Sequence, residues 1–192
     1  MTVFTDVAVG DLFEGRNGRA VFVKDYLDKH PGDYPVYSAS LERPFGFVDT
    51  FDYDGTYLTW VMNGYGGRVR EATGKFSANR DRGVLVPRDG VKIPDHTYLR
   101  YAMEPVFVAA AVGRRVDGRR NDYTKLYPEE ATAQRIQIPV DKRARYDYAK
   151  MEELGSRLRR IETAQAAVRR ALEDVLAARV TIESLVSSDD AP

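Results

Sequence analysis

The side chains best suited to chemistry in this 192-residue chain are arginines, asparagines and tyrosines gathered in four glycine-containing loops. Arginine outnumbers lysine by 22 to 7. Its guanidinium can bind a phosphate, or guanine O6 and N7, with two hydrogen bonds, and asparagine can bind adenine in the same way. Each loop alone is typical of a solvated turn, but four in one small domain favour nucleic-acid binding: residues 15–19, 63–70, 74–82 and 114–121.

Ten side chains in three of these loops are the candidate contacts to base edges and phosphates: Asn63, Tyr65, Arg68, Lys75, Asn79, Arg80, Arg114, Arg115, Arg119 and Arg120. The segment 114–121 holds four arginines against one aspartate, a local excess of three positive charges. Weaker candidates lie in the first loop: Arg16, Asn17 and Arg19. Phosphate contacts would make affinity salt-dependent, while only a few contacts would set sequence preference.

The motifs of common enzyme classes are absent from the sequence. Neither phosphate-binding glycine loop is present, and no serine-hydrolase or zinc-protease motif occurs. No acidic residue stands two positions before any of the seven lysines, so half of a common Mg²⁺-nuclease site is missing. Asp95 and His96 could form an acid–base dyad, but without a plausible nucleophile a structural role at a helix start is favoured. We therefore expect a non-catalytic protein.

Composition narrows the class further. The 29 basic and 29 acidic residues exclude a wholly basic, histone-like binder, although local basic patches remain compatible with zero net charge. The absence of cysteine excludes disulfides and thiolate metal sites, and two histidines disfavour a histidine-built metal centre. No apolar run approaches the ~20 residues that span a bilayer, and residues 1–10 do not resemble a signal peptide. The expected localisation is cytoplasmic, without membrane association.

The elements that would position the loops change in character near residue 145. All aromatic residues precede residue 149. Turn-bounded β-branched and aromatic runs predict strands at 34–37, 45–48, 56–62, 83–86 and 135–138. A helix is predicted from Asp95, as N-cap, to Met103, and a weaker one, which could equally be a strand, over 105–111. Residues 1–143 are therefore predicted to form a mostly β domain of α+β class.

The remaining chain has a heptad repeat typical of a coiled coil, predicted as one long helix over 144–187 with a disordered tail at 188–192. Nine of eleven a and d positions are apolar, counted from Met151 at a to Val186. The predicted dimer seam comprises Met151, Leu154, Leu158, Ile161, Gln165, Val168, Leu172, Val175 and Ile182. A single helix that exposes such an apolar stripe to water is not stable alone. Because the helix is too long to fold back on the globular domain, we expect it to pair with another chain.

Two details of the repeat bear on how the helices pair. Ala164, Ala171 and Ala178 occupy one g row beside the seam, where small side chains allow a close, antiparallel approach. Gln165 and Arg179 interrupt the a row. Such polar residues can fix register at a cost in stability, or Arg179 can mark where the pairing frays.

The order of segments resembles one target-recognition domain plus one spacer helix of a type I restriction–modification DNA-specificity subunit. The matching segments are Asp33–Ala39 (DYPVYSA), Tyr57–Val69, Gly74–Ser77 (GKFS), Thr97–Tyr101 and Gln134–Val140, followed by the long helix. Each motif is loose, and their order and spacing carry the resemblance. Two departures are a single recognition domain, where the family usually has two, and the absence of a second proline in Ile138-Pro139-Val140-Asp141.

The resemblance implies a specificity half-subunit that forms an antiparallel homodimer and recognises a bipartite site in double-stranded DNA. It also implies a separate methyltransferase subunit that carries S-adenosylmethionine, with no cofactor on this chain, and a translocating nuclease subunit that can join. The alternative is a non-catalytic coiled-coil adaptor whose tyrosine-rich domain binds protein instead of DNA.

Overall fold

Eleven strands and five helices occur in the part of the chain that this computed structural model describes, residues 2–116 and 119–186, with side chains for 2–113 and 123–178. The strands are β1 Val3–Ala8, β2 Phe13–Asn17, β3 Tyr34–Tyr37, β4 Gly46–Val48, β5 Tyr53–Val61, β6 Asn63–Gly64, β7 Val69–Ala78, β8 Arg82–Pro87, β9 Val112–Val116, β10 Arg119–Lys125 and β11 Arg135–Val140. The helices are α1 Val9–Leu12, α2 Lys24–Lys29, α3 His96–Ala110, α4 Pro128–Ala133 and α5 Tyr148–Val186. The predicted α+β class, a mostly β domain followed by one long helix, is confirmed.

The central strand of the largest sheet is β5. This six-stranded sheet has the order β2-β8-β5-β7-β3-β4. Both β7 and β8 run antiparallel to β5, so Trp60 lies opposite Val69 on one side and Gly83 on the other. An isolated bridge between Arg19 and Asn79 joins the segment after β2 to the end of β7. The turns that follow β5 and β7 therefore come together at one edge of the head, a name used here for residues 2–147 without 117–118.

Trp60 connects the sheet to the helices that cover it. Its side chain is fully buried, and the indole N–H donates a hydrogen bond to the Leu126 carbonyl at 2.9 Å. Its ring meets Phe107 of α3 edge-on, with 6.2 Å between centroids. A Cβ at Gly83 would lie 2.3 Å from this ring, so only glycine allows the indole to cross β8. Burying both aromatic rings fixes α3 on the sheet.

The helix α3 begins as predicted and continues further. Asp95 is its N-cap, and the carboxylate accepts a hydrogen bond from the Tyr98 backbone N–H at 2.8 Å. Pro105 lies inside the helix, so the two predicted helical segments form one element. The helical state prevails over a strand at 106–108 because Met103 and Phe107, four residues apart, are both fully buried on one face.

The long helix α5 begins at Tyr148, four residues later than predicted. The preceding turn is held by Asp141, whose carboxylate accepts hydrogen bonds from the backbone N–H groups of Arg143 and Arg145 at 2.8 and 3.0 Å. Asp147 then caps the helix by accepting from the Lys150 N–H at 2.9 Å. With 39 residues, α5 is about 58 Å long at 1.5 Å per residue.

The first three turns of α5 pack against the head. Met151 is 2% exposed within the main core, and Leu154 and Leu158 lie half-buried against the same core. At Gly155 a Cβ would lie 2.0 Å from a carboxylate oxygen of Asp95, so glycine permits this close approach. The prediction that these three apolar residues belong to an intermolecular seam is wrong for this part of the helix. These residues pack on the main core of the head, where α5 contacts both α3 and β11.

The described seam residues beyond Leu158 are exposed. The exposed fractions of Ile161, Val168, Leu172 and Val175 are 51%, 69%, 58% and 64%. Gln165 is exposed between them. The side chains of Arg179 and Ile182, and the predicted tail at 188–192, lie outside the described residues. The division of the chain at residues 143 and 187 stays a prediction.

Candidate nucleic-acid interface

Two turns from different strands are tied together at one edge of the head. The Asn63 side-chain amide, after β5, donates to the Asp81 carboxylate at 3.0 Å and to the Arg80 carbonyl at 3.3 Å. The Met62 backbone N–H donates to the Asp81 carbonyl at 2.8 Å. Asn63 and Arg80, 17 residues apart, therefore form one surface, as nucleic-acid contacts would require.

The hairpin of β9 and β10 joins the same surface. Thr124 and Lys125 of β10 pair antiparallel with Gly64 and Asn63 of β6, and an isolated bridge links Thr124 to Tyr65. We call the whole surface the loop edge: residues 63–65, 79–81 and the β9–β10 hairpin. The hairpin carries Arg114, Arg115, Arg119 and Arg120, whose side chains lie outside the described residues.

Some loop-edge side chains are exposed to solvent, whereas others are buried and stabilise the turns. Tyr65 is 65% exposed, and Arg80 is exposed at the tip of its turn. Asn79 is only 6% exposed, and its side-chain oxygen accepts the Asp81 backbone N–H at 3.0 Å. Asn79 therefore shapes the turn, and the prediction that it contacts nucleic acid is not retained, because the residue is buried and its side-chain oxygen is used within the turn.

Two predicted contact residues have side chains that interact with residues outside the loop edge. Arg68 forms an ion pair with Glu104 of α3 at 3.3 Å. Lys75, on β7, places its ammonium over the rings of Phe51 and Tyr34, 4.7 and 5.9 Å from their centroids. Both side chains are exposed cations on the head, and no hydrogen bond or ion pair among the described residues links them to Asn63 or Arg80.

The weaker first-loop candidates have local partners. Arg16 pairs with Glu14 at 2.8 Å, and Arg19 pairs with Asp52 at 2.9 Å. The Arg16 hydrogen bond lowers the pKa of Glu14, and the same bond raises the pKa of Arg16. This loop therefore has less unpaired positive charge than its sequence indicated.

A groove of about 920 Å³ separates the head from α5. It is lined by five arginines and three glutamates: Arg68, Arg70, Arg100, Arg169, Arg170, Glu104, Glu162 and Glu173. Glu162 accepts hydrogen bonds from the Arg100 guanidinium and from the Tyr101 hydroxyl. Burial alone would raise the pKa of Glu162, but Arg100 outweighs this effect and leaves that pKa below its usual value.

Arg82, at the start of β8, is a buried cation that the candidate set missed. It is 2% exposed, and one terminal nitrogen (Nη2) donates to the Ser40 carbonyl at 2.8 Å. Nε and Nη1 have no hydrogen-bond partner among the described residues. Burial, reinforced by the nearby charge of Arg70, lowers the pKa of Arg82 to about 10. Its sequence context, an arginine directly before the predicted strand 83–86, does not distinguish a buried arginine from an exposed one.

The described residues contain no cluster of three or more histidine, aspartate or glutamate side chains able to hold a metal ion. Asp95 has the structural role predicted for it at the start of α3. Asp95 caps α3 and accepts a hydrogen bond from Arg159 at 2.6 Å, while His96 lies 3.9 Å from Glu71. No helix in the described part of the chain is long and apolar enough to cross a membrane.

The head matches a known family in sequence. The family model for the type I restriction modification DNA specificity domain matches residues 2–108, more than half of the chain. The specificity subunit of type I restriction enzyme MpnII from Mycoplasma pneumoniae is 44% identical over 84 residues, 43% of this chain and 25% of that protein. The matched part spans between 23% and 35% of the length of five such curated relatives.

Solved structures share the fold. The crystal structure of an S subunit of a type I restriction–modification system from M. genitalium aligns with a TM-score of 0.63 at 18% identity, covering 90% of this chain and 44% of that one. An HsdS subunit from Thermoanaerobacter tengcongensis aligns with a TM-score of 0.59 at 13% identity, covering 88% and 39%. The likeness therefore extends over most of the head and helix.

Proposed function

Because this chain belongs to the family of type I restriction modification DNA specificity domains, we propose that it recognises a double-stranded DNA sequence on behalf of a type I restriction–modification complex. The loop edge is the structural feature that supports this proposal most directly. There, turns distant in sequence meet and present an exposed tyrosine and arginine beside a hairpin with four arginines. Such a surface suits hydrogen bonds to base edges and phosphates.

Different parts of the head take different roles in this proposal. Asn63, Tyr65 and Arg80 lie nearest the bases, with the four hairpin arginines beside them. Arg68 and Lys75 are exposed cations outside the loop edge and contribute phosphate contacts or general attraction to DNA. Sequence preference therefore resides in the loop edge, and the other cations add affinity without selectivity.

The exposed apolar stripe of α5 suits pairing with a second helix. Ile161, Val168, Leu172 and Val175 are each more than half exposed along one face. In the proposal, two copies pair antiparallel through this stripe, which places two heads a fixed distance apart on a bipartite, palindromic site.

The chain supplies recognition and other subunits supply chemistry. A methyltransferase subunit binds S-adenosylmethionine and methylates an adenine that it flips from the stack, while this chain binds no cofactor. A translocating nuclease subunit joins where cleavage accompanies methylation. The complex works on cellular DNA in the cytoplasm.

The test is DNA binding by the chain together with its methyltransferase subunit at several salt concentrations. If about six phosphates are neutralised, the logarithm of the association constant falls with the logarithm of salt at a slope near −5. A shallow slope would contradict the proposal. Binding that is absent at every salt concentration would favour the alternative, a coiled-coil adaptor that binds protein.

A further inference from the structure

Arg82 has a buried charge that the described residues do not neutralise. Its pKa of about 10 leaves the guanidinium protonated at neutral pH. Two of its nitrogens lack hydrogen-bond partners among the described residues, and the charge of Arg70 repels it. A buried, unpaired cation destabilises a fold, whereas an apolar side chain of similar size is tolerated or stabilising at such positions. A bound anion would compensate for this cost.

A small cavity lies beside this side chain. The cavity measures about 190 Å³, well above the ~10–15 Å³ that one water molecule needs, and so has room for a phosphate group. We call it the Arg82 cavity. Its polar lining comprises Tyr37, Ser40, Glu42, Arg43, Thr59, Arg70, Glu71 and Arg82. Three arginines against two glutamates leave one net positive charge, which suits an anion.

The Arg82 cavity adjoins the loop edge. Arg82 directly follows the turn that carries Arg80, and its backbone N–H donates to the Asn79 carbonyl at 3.0 Å. On the other wall, the Ala39 Cβ lies 3.7 Å from the place where a side chain on Gly64 would begin. DNA seated on residues 63–65 and 79–81 would therefore bring its backbone close to the segment 39–43.

We propose that the Arg82 cavity holds one backbone phosphate of the bound DNA. The inference rests on the proposed DNA recognition and adds a specific anchoring point to it. Arg43 and Arg70, both exposed, attract the phosphate, and the free nitrogens of Arg82 bind it. Those nitrogens are closed to solvent, so the segment 39–43 shifts to admit the ligand. The contact is independent of sequence and sets the orientation of the head on DNA.

Within the chain, Glu42 is the acidic group that could neutralise Arg82 in place of a phosphate. It lines the same cavity, and a rotation of its side chain could neutralise Arg82 without any ligand. In the structure Glu42 forms no ion pair with Arg82 among the described residues, and only its backbone N–H is bonded, to the Ser40 hydroxyl at 3.3 Å. Glu42 therefore lines the cavity without neutralising Arg82.

The first experiment measures the melting temperature of the full chain in inorganic phosphate and in chloride of equal ionic strength. Phosphate should raise the melting temperature of the natural chain by mass action. In Arg82→Met that rise should be lost, while stability in chloride should equal or exceed that of the natural chain. The control Arg16→Ala removes an exposed arginine paired with Glu14 and should keep the rise. An equal rise in Arg82→Met would overturn the proposal.

Glu42→Gln tests the role of this glutamate in the same assay. The proposal expects an unchanged melting temperature in chloride and an unchanged or larger response to phosphate. A loss of stability in chloride that phosphate restores would identify Glu42 as the natural partner of Arg82, and the proposed phosphate role would be rejected.

The second experiment uses the complex with the methyltransferase subunit and DNA. Arg82→Met should reduce the salt slope of binding by about 0.9, the share of one phosphate. An unchanged slope in Arg82→Met with a reduced slope in Arg80→Ala would overturn the cavity assignment and leave DNA recognition intact. Absence of DNA binding by the natural complex would reject both.

Discussion

Asn63 and Asn79 show how single side chains build the loop edge. Each uses its amide or carbonyl within the structure, to Asp81 and to the backbone around it. Arg80, which follows Asn79 and whose carbonyl accepts a hydrogen bond from Asn63, is exposed. A turn fixed by two asparagines holds an arginine in a defined position, which a contact to a base edge requires.

The division of roles predicts opposite effects for neighbouring substitutions. Asn79→Ala should lower the free energy of unfolding by about 1 kcal/mol, because a buried hydrogen bond is lost. Arg80→Ala should leave that free energy within ~0.5 kcal/mol, since its side chain is exposed, and should weaken DNA binding by the methyltransferase complex. Chemical denaturation and DNA titration measure the two effects. Equal losses of stability would contradict the assignment.

Glu162 gives a pH-dependent test of how α5 is held. Because its pKa in the folded chain lies below the usual value of 4.5, its ion pair stabilises the fold above that pH and ceases to do so as pH falls through the lowered pKa. Glu162→Gln should therefore be less stable than the natural chain at pH 7, with the difference shrinking below about pH 4. Denaturation across this range is the measurement.

The matched control is Glu152→Gln, on an exposed position of the same helix. It should show a smaller difference from the natural chain at pH 7. A difference in Glu162→Gln that persists unchanged at low pH would show that packing, and not the ion pair with Arg100, accounts for the loss.

At the scale of elements, α5 has two roles along its length. Its first turns belong to the head through Met151 and the hydrogen bond between Arg159 and Asp95. Its later turns expose Val168, Leu172 and Val175. The head therefore sets the direction of the helix, and the apolar stripe beyond it stays exposed and is available to the proposed partner helix.

Substitutions in the two parts should separate stability from pairing. Met151→Ala should destabilise the head by about 2–5 kcal/mol, as expected for truncation of a buried methionine. Leu172→Asp should leave the head folded and dissociate the proposed dimer, because it places a charge in an apolar interface. Leu158 is unsuitable for this comparison, since it packs on the head. Light scattering and denaturation provide the measurements, and a Leu172→Asp variant that remains dimeric would exclude this face.

The sequence predicted elements best where the pattern is local. Asp95 identified the start of α3, and the YPVY run identified β3. The strand β7 was taken for binding loops, because Gly74 and its polar residues interrupt the apolar alternation. Docking of Met151 was also missed, since a heptad pattern cannot distinguish a partner chain from the chain's own α3. Arg82 required the tertiary structure, because nothing local marks an arginine as buried.

At the scale of the whole molecule, the fixed joint between head and α5 would make helix length set the distance between the two heads of the proposed dimer. Inserting one heptad after Gln165 would lengthen the helix by about 10 Å and keep the apolar stripe in register. The spacer between half-sites should then grow by about three base pairs, at 3.4 Å each. Selection of bound DNA from a library of spacer lengths measures this, and an unchanged preferred spacer would contradict antiparallel pairing through α5.

The central claim, that this chain directs methylation to a DNA sequence, is tested most directly by locating methylated adenines in the DNA of cells with and without it. The account predicts a split, symmetric motif that is methylated only when the chain is present, and that is lost in a variant lacking Arg80, Arg119 and Arg120 side chains beyond Cβ. An identical set of methylated adenines in both kinds of cell would contradict it.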